Sequence, residues 1–282
     1  MQSKYFQNRV LVIATMHGKE QVLKLLLEEA LGVTCIIPAE FNSDIFGTFS
    51  GEIERELNPL ETARKKCYAA MELTGCNLAI ASEGSFGAHP IIGFVPADEE
   101  LLVLIDRKNN MEIKVKEIST ATNFAGKEIT NLQAAYDFAA QVLFPSHGLI
   151  IKKAKEDLSI LYKGITDINR LKKIVTDLLA DNHSIYMETD MRAMYNPSRM
   201  KVIEEACKKL ITITKSFCKH CGTPGFSVTD SIIGLPCDYC GSPTRSPKAF
   251  VYTCSHCNYT EELLFPNGKE TEDPMYCDRC NP

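Results

Sequence analysis

Eight of the twelve cysteines fall in four Cys-x-x-Cys pairs, Cys218/Cys221, Cys237/Cys240, Cys254/Cys257 and Cys277/Cys280, separated by 15, 13 and 19 residues. Such a pair lets two thiolates grip one tetrahedral ion, and two pairs close its shell. Two zinc ions held by four thiolates each are therefore expected. A site with four protein ligands leaves no position open for substrate, so these ions should be structural. A zinc deaminase is disfavoured: Pro236-Cys237-x-x-Cys240 fits half of that signature, but none of the six histidines is followed by x-Glu. Along the chain the pairs are expected to combine sequentially, first with second and third with fourth, in preference to a nested arrangement.

The second candidate for chemistry is Glu83. It follows the apolar run Asn77 to Ser82 and precedes Gly84 and Ser85, so it is expected in a loop beyond the carboxyl end of a strand, where ligands bind in open α/β sheets. Asp190 and Arg192, before a helix that starts at Pro197, form a second polar pair that could wall the same crevice. As structural readings, Glu61 completes a helix cap or pairs with Lys65, Lys19 is a solvated helix-start residue, and Asp190 with Arg192 is a plain ion pair.

The elements that position these residues follow from pattern. Arg9 to Thr15 reads as a strand, and the next helix has Val22, Leu25, Leu26 and Ala30 on one side until Gly32. Val33 to Ile37 is a second strand, followed by a long loop from Pro38 to Gly51. Asn58 caps a helix whose stripe is Leu60, Ala63, Cys67, Ala70 and Thr74, and Gly75 stops it. Ile91 to Pro96 and a hairpin of Glu100 to Asp106 with Met111 to Glu117 come next. Helices are expected over Leu132 to Val142 and Asp167 to Leu179, with a strand at His147 to Lys152 between them.

Alternation in SIYMETDMRA predicts a strand with Glu188, Asp190 and Arg192 on one face. Pro197 begins a helix with Met200, Ile203, Cys207, Leu210, Thr214 and Phe217 on its stripe. It runs straight into Cys218. Phe250 to Thr253 and Tyr259 to Phe265 read as hairpin strands of small zinc ribbons. The expected fold class is α/β, a mixed twisted sheet flanked by helices over residues 1–217, followed by a double zinc-ribbon module over 218–282.

Composition narrows the function classes. The 282 residues are 45% hydrophobic and 24% charged, ordinary for a globular chain, and no apolar run approaches a membrane span. MQSKYFQNR has no signal-peptide core, and eight paired thiols without a secretion signal favour zinc in a reducing compartment; a cytoplasmic protein is expected. Net charge is −5, and from Cys218 onward there are five Lys/Arg against eight Asp/Glu. Nucleic acid is thus an unfavoured partner, since affinity for it rests on cationic contacts to phosphate. Cys35, Cys67, Cys76 and Cys207 sit in apolar settings and read as small core residues.

Glu61-Thr62-Ala63-x-x-Lys66 resembles the Glu-Asn-Ala-x-x-Lys motif of the inosine triphosphate pyrophosphatase superfamily. Glu83-Gly84-Ser85 falls where that superfamily has its acidic loop, and ATMHGK is similar to its strand-loop with a triphosphate-contacting lysine. The resemblance covers roughly residues 9 to 120. Thr62 replaces the motif's asparagine, His17 stands where another asparagine would be, and the ATMHGK loop is one residue shorter. The resemblance implies Mg²⁺ near Glu61 and Glu83, with Lys19 and Lys66 on phosphates and Thr15, His17 and Ser85 as further binding residues. The whole chain, including GLPCDYCGSPTR and ETDMRAMYNPSRM, also resembles an uncharacterised bacterial family with a C-terminal zinc module. That family implies no activity.

Two functions are carried forward. The first is a metal-dependent hydrolase of a nucleotide or related phosphoanhydride, with Glu83, Glu61, Lys19, Asp190 and Arg192 at work. The alternative is a non-catalytic adaptor whose zinc ribbons grip a protein partner while the α/β part carries a ligand or forms a homodimer.

Overall fold

The structure is a computed structural model that describes residues 5–47, 52–53 and 56–282. The long loop expected over Pro38 to Gly51 is described only as far as Gly47; the rest lies outside the described residues. The fold is mixed α/β, with twisted sheets flanked by helices and a cysteine-rich end. It divides into two compact units. One comprises the chain up to Lys108 together with Lys114–Leu210, and the other comprises Asn109–Ile113 with Ile211–Pro282.

β1 (Val10–Ile13), β2 (Thr34–Ile36), β3 (Leu78–Ala88), β4 (Pro96–Asp106) and β5 (Met111–Ser119) form a sheet of order β2-β1-β3-β4-β5, all of it in the first unit but the start of β5, Met111–Ile113. β1 is parallel to both β2 and β3, whereas β3 and β4 are antiparallel over their whole length. β1 pairs with β3 only through Val12 and Ile13, opposite Ala79 and Ile80. Beyond that point β3 runs on without β1 beside it. The chain from β1 leads into α1 (Glu20–Leu31) and brings Lys19 against Ser82 of that stretch of β3.

Two helices differ in what the sequence exposed about them. In α2 (Pro59–Thr74), Asn58 accepts from the N–H of Glu61, Pro59 takes the first helical position and Gly75 ends the helix in the left-handed region, all as patterned. Its buried residues include Ala63, Cys67 and Ala70, which pack on Val12, Ala79, Ala81 and Val103. In α1 the buried face is Leu23, Leu27 and Leu31, while Leu25 is exposed, one position round from the expected stripe. A block of three consecutive leucines satisfies two helical faces, and packing selected the one ending on Leu31.

A second sheet in the same unit has the order β6-β9-β7-β8, from β6 (Gly126–Ile129), β7 (Leu149–Ala154), β8 (Asp157–Ile165) and β9 (Ile185–Thr189), all antiparallel. α3 (Leu132–Gln141) and α4 (Ile168–Asp181) supply Phe138, Leu171 and Val175 to a core with Ile151, Ile165 and Met187. β6 and β8 were not read from sequence. β9 ends at Thr189, so Asp190 and Arg192 do not continue one strand face; a 3-10 turn (Ala193–Tyr195) follows and leads to α5 (Pro197–Thr214). Ile91 to Val95 lie in the turn joining β3 and β4, and Pro96 begins β4.

The cysteine-rich unit carries an antiparallel sheet of β10 (Ser227–Ile233), β11 (Pro247–Thr253) and β12 (Thr260–Leu264). The β11–β12 hairpin agrees with the sequence pattern. No helix among the described residues is long and apolar enough to cross a membrane.

Candidate functional site

Glu83 lies inside β3, opposite Leu101, rather than in a loop after it. The strand continues through Gly84, Ser85 and Gly87 because β4 supplies an unbroken antiparallel partner, which overrides the weak strand tendency of glycine. Side chains alternate about the sheet. Glu83 and Ser85 share one face with Ala79 and Ala81, on the α2 side, and Ser82, Gly84 and Phe86 share the other with Glu100 and Asp98 of β4.

On the α2 side, Lys66 reaches Glu83 with Nζ 2.6 Å from Oε1, both side chains being buried. Glu61 is exposed on the first turn, so the residue of α2 that meets Glu83 is Lys66. Thr62 is buried and donates from its hydroxyl to Asn58 O, a helix-start bond.

Lys19 enters from the loop between β1 and α1 and lies along the part of β3 that β1 leaves uncovered. Its ammonium donates to Ser82 O at 3.0 Å and Ser82 Oγ at 2.8 Å. Burial pushes the Lys19 ammonium down to about 7, with the Arg199 guanidinium adding to the fall and Glu100 and Glu83 opposing it. Lys19 thus feels charged groups from both faces of the sheet at once.

The other face holds a buried ion pair. Arg199, in the first turn of α5, donates from Nε to Glu100 Oε1 at 2.6 Å, also bonds Met191 O, and lies 5.1 Å above the Phe86 ring. Gly84 permits this: a Cβ there would stand 2.5 Å from both Arg199 Nη2 and Glu100 Oε1. Asp98 is 1% exposed, and burial followed by repulsion from Glu100 pushes its carboxyl up to about 7.

Asp190 and Arg192 follow β9 of the second sheet. Asp190 is fully buried and accepts from Gly164 N, Arg192 N, Arg192 Nε and Arg192 Nη2, the last at 2.6 Å. The pair is a corner that fixes the turn after β9, as the plain ion-pair reading supposed. It also delivers the Arg192 guanidinium close enough to affect His17, whose pKa is lowered chiefly by burial and further by Lys19 and Arg192. His17 Nε2 is 2.8 Å from Asp44 Oδ1, and Met194 Cβ approaches within 3.4 Å of where a Gly18 side chain would begin. Thr15 is buried beside this loop and its hydroxyl accepts from His17 N.

Four participants escaped the sequence reading: Asp44, Asp98, Glu100 and Arg199. Period-two alternation through Asp98, Glu100, Leu102 and Leu104 would have placed both acids inward, and Arg199 sits four residues before the buried Ile203. Asp44 offered no comparable signal.

The cysteine ligands assemble in an interleaved order. Cys218, Cys221, Cys254 and Cys257 form one group, and Cys237, Cys240, Cys277 and Cys280 form the other, each able to hold a metal ion. The expected sequential combination is corrected: first goes with third and second with fourth. The β10–β11–β12 sheet brings the ends of β10 and β11 together, with Ser227 opposite Thr253, and so joins the first pair to the third.

Sulfur separations across the groups are 3.7 and 3.6 Å in one and 3.9 and 3.7 Å in the other. A tetrahedron with Zn–S bonds of about 2.3 Å has edges of about 3.8 Å, so the donor sets fit that ion. Cys35, Cys67 and Cys207 are buried core residues, and Cys76 is half-buried.

The family model described as "Domain of unknown function (DUF6671)" matches residues 66–282. No curated protein matches the chain.

Proposed function

We propose that this chain, which belongs to the DUF6671 family, hydrolyses a phosphoanhydride, of a nucleotide or a related compound, in the crevice beside the uncovered part of β3. The observation that carries this reading is the convergence of Lys19 with the Lys66–Glu83 and Arg199–Glu100 pairs, whose charges all reach its ammonium. A fold stabilised by burial alone has little use for so many charges in one place, because each costs desolvation free energy. Perturbed, convergent ionisable groups of this kind are a mark of functional sites.

In this reading Lys19, steadied by Ser82, neutralises charge on a bound phosphate, and Arg192, steadied by Asp190, does so from the opposite wall. Glu83, oriented by Lys66, takes the proton of the attacking water. His17 and Thr15 shape the mouth, and Ser85 lines the Glu83 face. A divalent ion such as Mg²⁺ would supply positive charge to phosphoryl oxygens. The two Cys₄ groups would hold zinc as structural ions. The reading is consistent with the resemblance of ATMHGK and Glu61-Thr62-Ala63-x-x-Lys66 to the inosine triphosphate pyrophosphatase superfamily.

The test is release of phosphate or pyrophosphate from a panel of nucleoside triphosphates, deaminated purines included, by the zinc-loaded protein with Mg²⁺. Turnover of at least one member, lost in Lys19→Met, is expected. A folded, zinc-loaded protein inert across the panel would reject the reading.

One observation favours the adaptor alternative. Tyr239, Met275 and Tyr276, beside ligands of the second Cys₄ group, are all exposed, and aromatic and methionine side chains are enriched at protein interfaces. A partner retained by the wild-type module and lost in Tyr239→Ser, in a protein without turnover, would support it.

A further inference from the structure

We propose that Asp98 and Glu100 form a binding site for a hard divalent cation, Mg²⁺ or Mn²⁺ in class, on the face of β4 opposite α2. The two acids are two residues apart on one strand, so their carboxylates project from the same face. Glu100 gives Oε1 to Arg199, whereas its Oε2 has no hydrogen-bond partner among the described residues, and neither has Asp98 Oδ1. Both side chains are more than nine-tenths buried. A buried carboxylate oxygen without a donor is costly, and two of them side by side are costlier because the charges repel.

The cations nearby already have partners, and neither donates to Glu100 Oε2 or Asp98 Oδ1. Arg199 is bonded to Glu100 Oε1 and Met191 O, and Lys19 donates to Ser82. On the facing strand, Gly84 stands opposite Glu100 and offers no side-chain donor, and Phe86 stands opposite Asp98. The strand pairing therefore places two acceptors together, and β3 supplies no side-chain donor between them.

Oxygen-only donors select hard cations, and Mg²⁺ takes one or two protein carboxylates while filling its remaining positions with water or phosphate oxygens. Two free carboxylate oxygens near Lys19 match that requirement. The inference names the ion-holding residues of the hydrolytic reading above, and it moves them from the Glu61 and Glu83 of the sequence resemblance to β4. A proton shared by the two acids is the competing occupant.

Mn²⁺ binding to the full-length, zinc-loaded protein decides the matter, read by loss of the free-ion electron paramagnetic resonance signal. One Mn²⁺ per chain is expected, displaced by Mg²⁺, with affinity reduced at least ~10-fold in Asp98→Asn. No binding by the wild type, binding unchanged in Asp98→Asn, or binding lost in Glu61→Gln but kept in Asp98→Asn would overturn the assignment. Should Asp98→Asn fail to fold, Fe²⁺ with ascorbate and peroxide on the wild type replaces it. Oxidative cuts in β3 and β4 are expected, and cuts confined to other segments would overturn the site. Bound Mn²⁺ without turnover would leave this site standing and reject the hydrolase, whereas turnover in a protein that binds no divalent ion would do the reverse.

Discussion

Arg199 of α5 and Glu100 of β4, ninety-nine residues apart in sequence, meet at 2.6 Å with both side chains essentially inaccessible to water. Removing one partner of such a pair strands the other, at a cost of about 3–5 kcal/mol. Arg199→Leu should therefore lose stability of that order in urea unfolding monitored by circular dichroism. Arg199→Leu combined with Glu100→Leu should recover much of the loss. A double variant no better than the single one would show that the guanidinium matters through Met191 and Phe86 instead.

Gly84 is the position that admits the pair. Gly84→Ala places a methyl 2.5 Å from Arg199 Nη2 and Glu100 Oε1, neither of which can move freely in a packed interior. Overpacking of this kind costs about 1–3 kcal/mol. Gly87→Ala, on the same strand with nothing within 4 Å of the added atom, is the matched control and should cost much less. Equal losses in the two variants would contradict the close packing at Gly84.

Lys19 gives a pH signature whose sign is fixed. Its folded-state pKa is depressed from 10.5 to about 7, so between those values the unfolded chain binds a proton that the folded chain lacks. Stability then rises with pH across that window and is lower below it. The contribution is on the order of a few kcal/mol. Lys19→Met should remove this rise in chemical unfolding measured from pH 6.5 to 9.5 without added divalent ions. A wild-type and variant difference independent of pH would mean that Lys19 stays charged in the fold.

The interleaved thiols make a prediction that distinguishes pairings by counting. Cys218→Ser with Cys254→Ser removes ligands from one group only and should leave one zinc per chain by elemental analysis. Cys218→Ser with Cys237→Ser damages both groups and should leave none. Sequential pairing would give the opposite pattern.

The legibility of the molecule divided along physical lines. Local signals served well: Asn58, Pro59 and Gly75 bound α2 in the structure as in the sequence, and the helices expected over Leu132 to Val142 and Asp167 to Leu179 match α3 and α4 to within two residues at each end. What depended on distant chain did not show. Nothing near Gly84 announces that β4 will pair with it, and that pairing turned the expected Glu83 loop into strand. The thiol combination was hidden for the same reason, since it follows from β10 and β11 lying side by side. Arg199 was overlooked because a charged residue at a helix start reads as solvated, although its spacing from Ile203 put it on the buried face.

The most direct test of the hydrolytic account is Glu83→Gln, measured for turnover and for thermal unfolding in the same preparation. Glutamine keeps the shape and an oxygen beside Lys66, but cannot take a proton from water. The account predicts a loss of at least ~10² in turnover from removing the general base, with the fold retained. Full turnover in Glu83→Gln, or a destabilised variant of a wild type that is inert on every phosphoanhydride tried, would contradict it and leave the Lys66–Glu83 pair a structural brace.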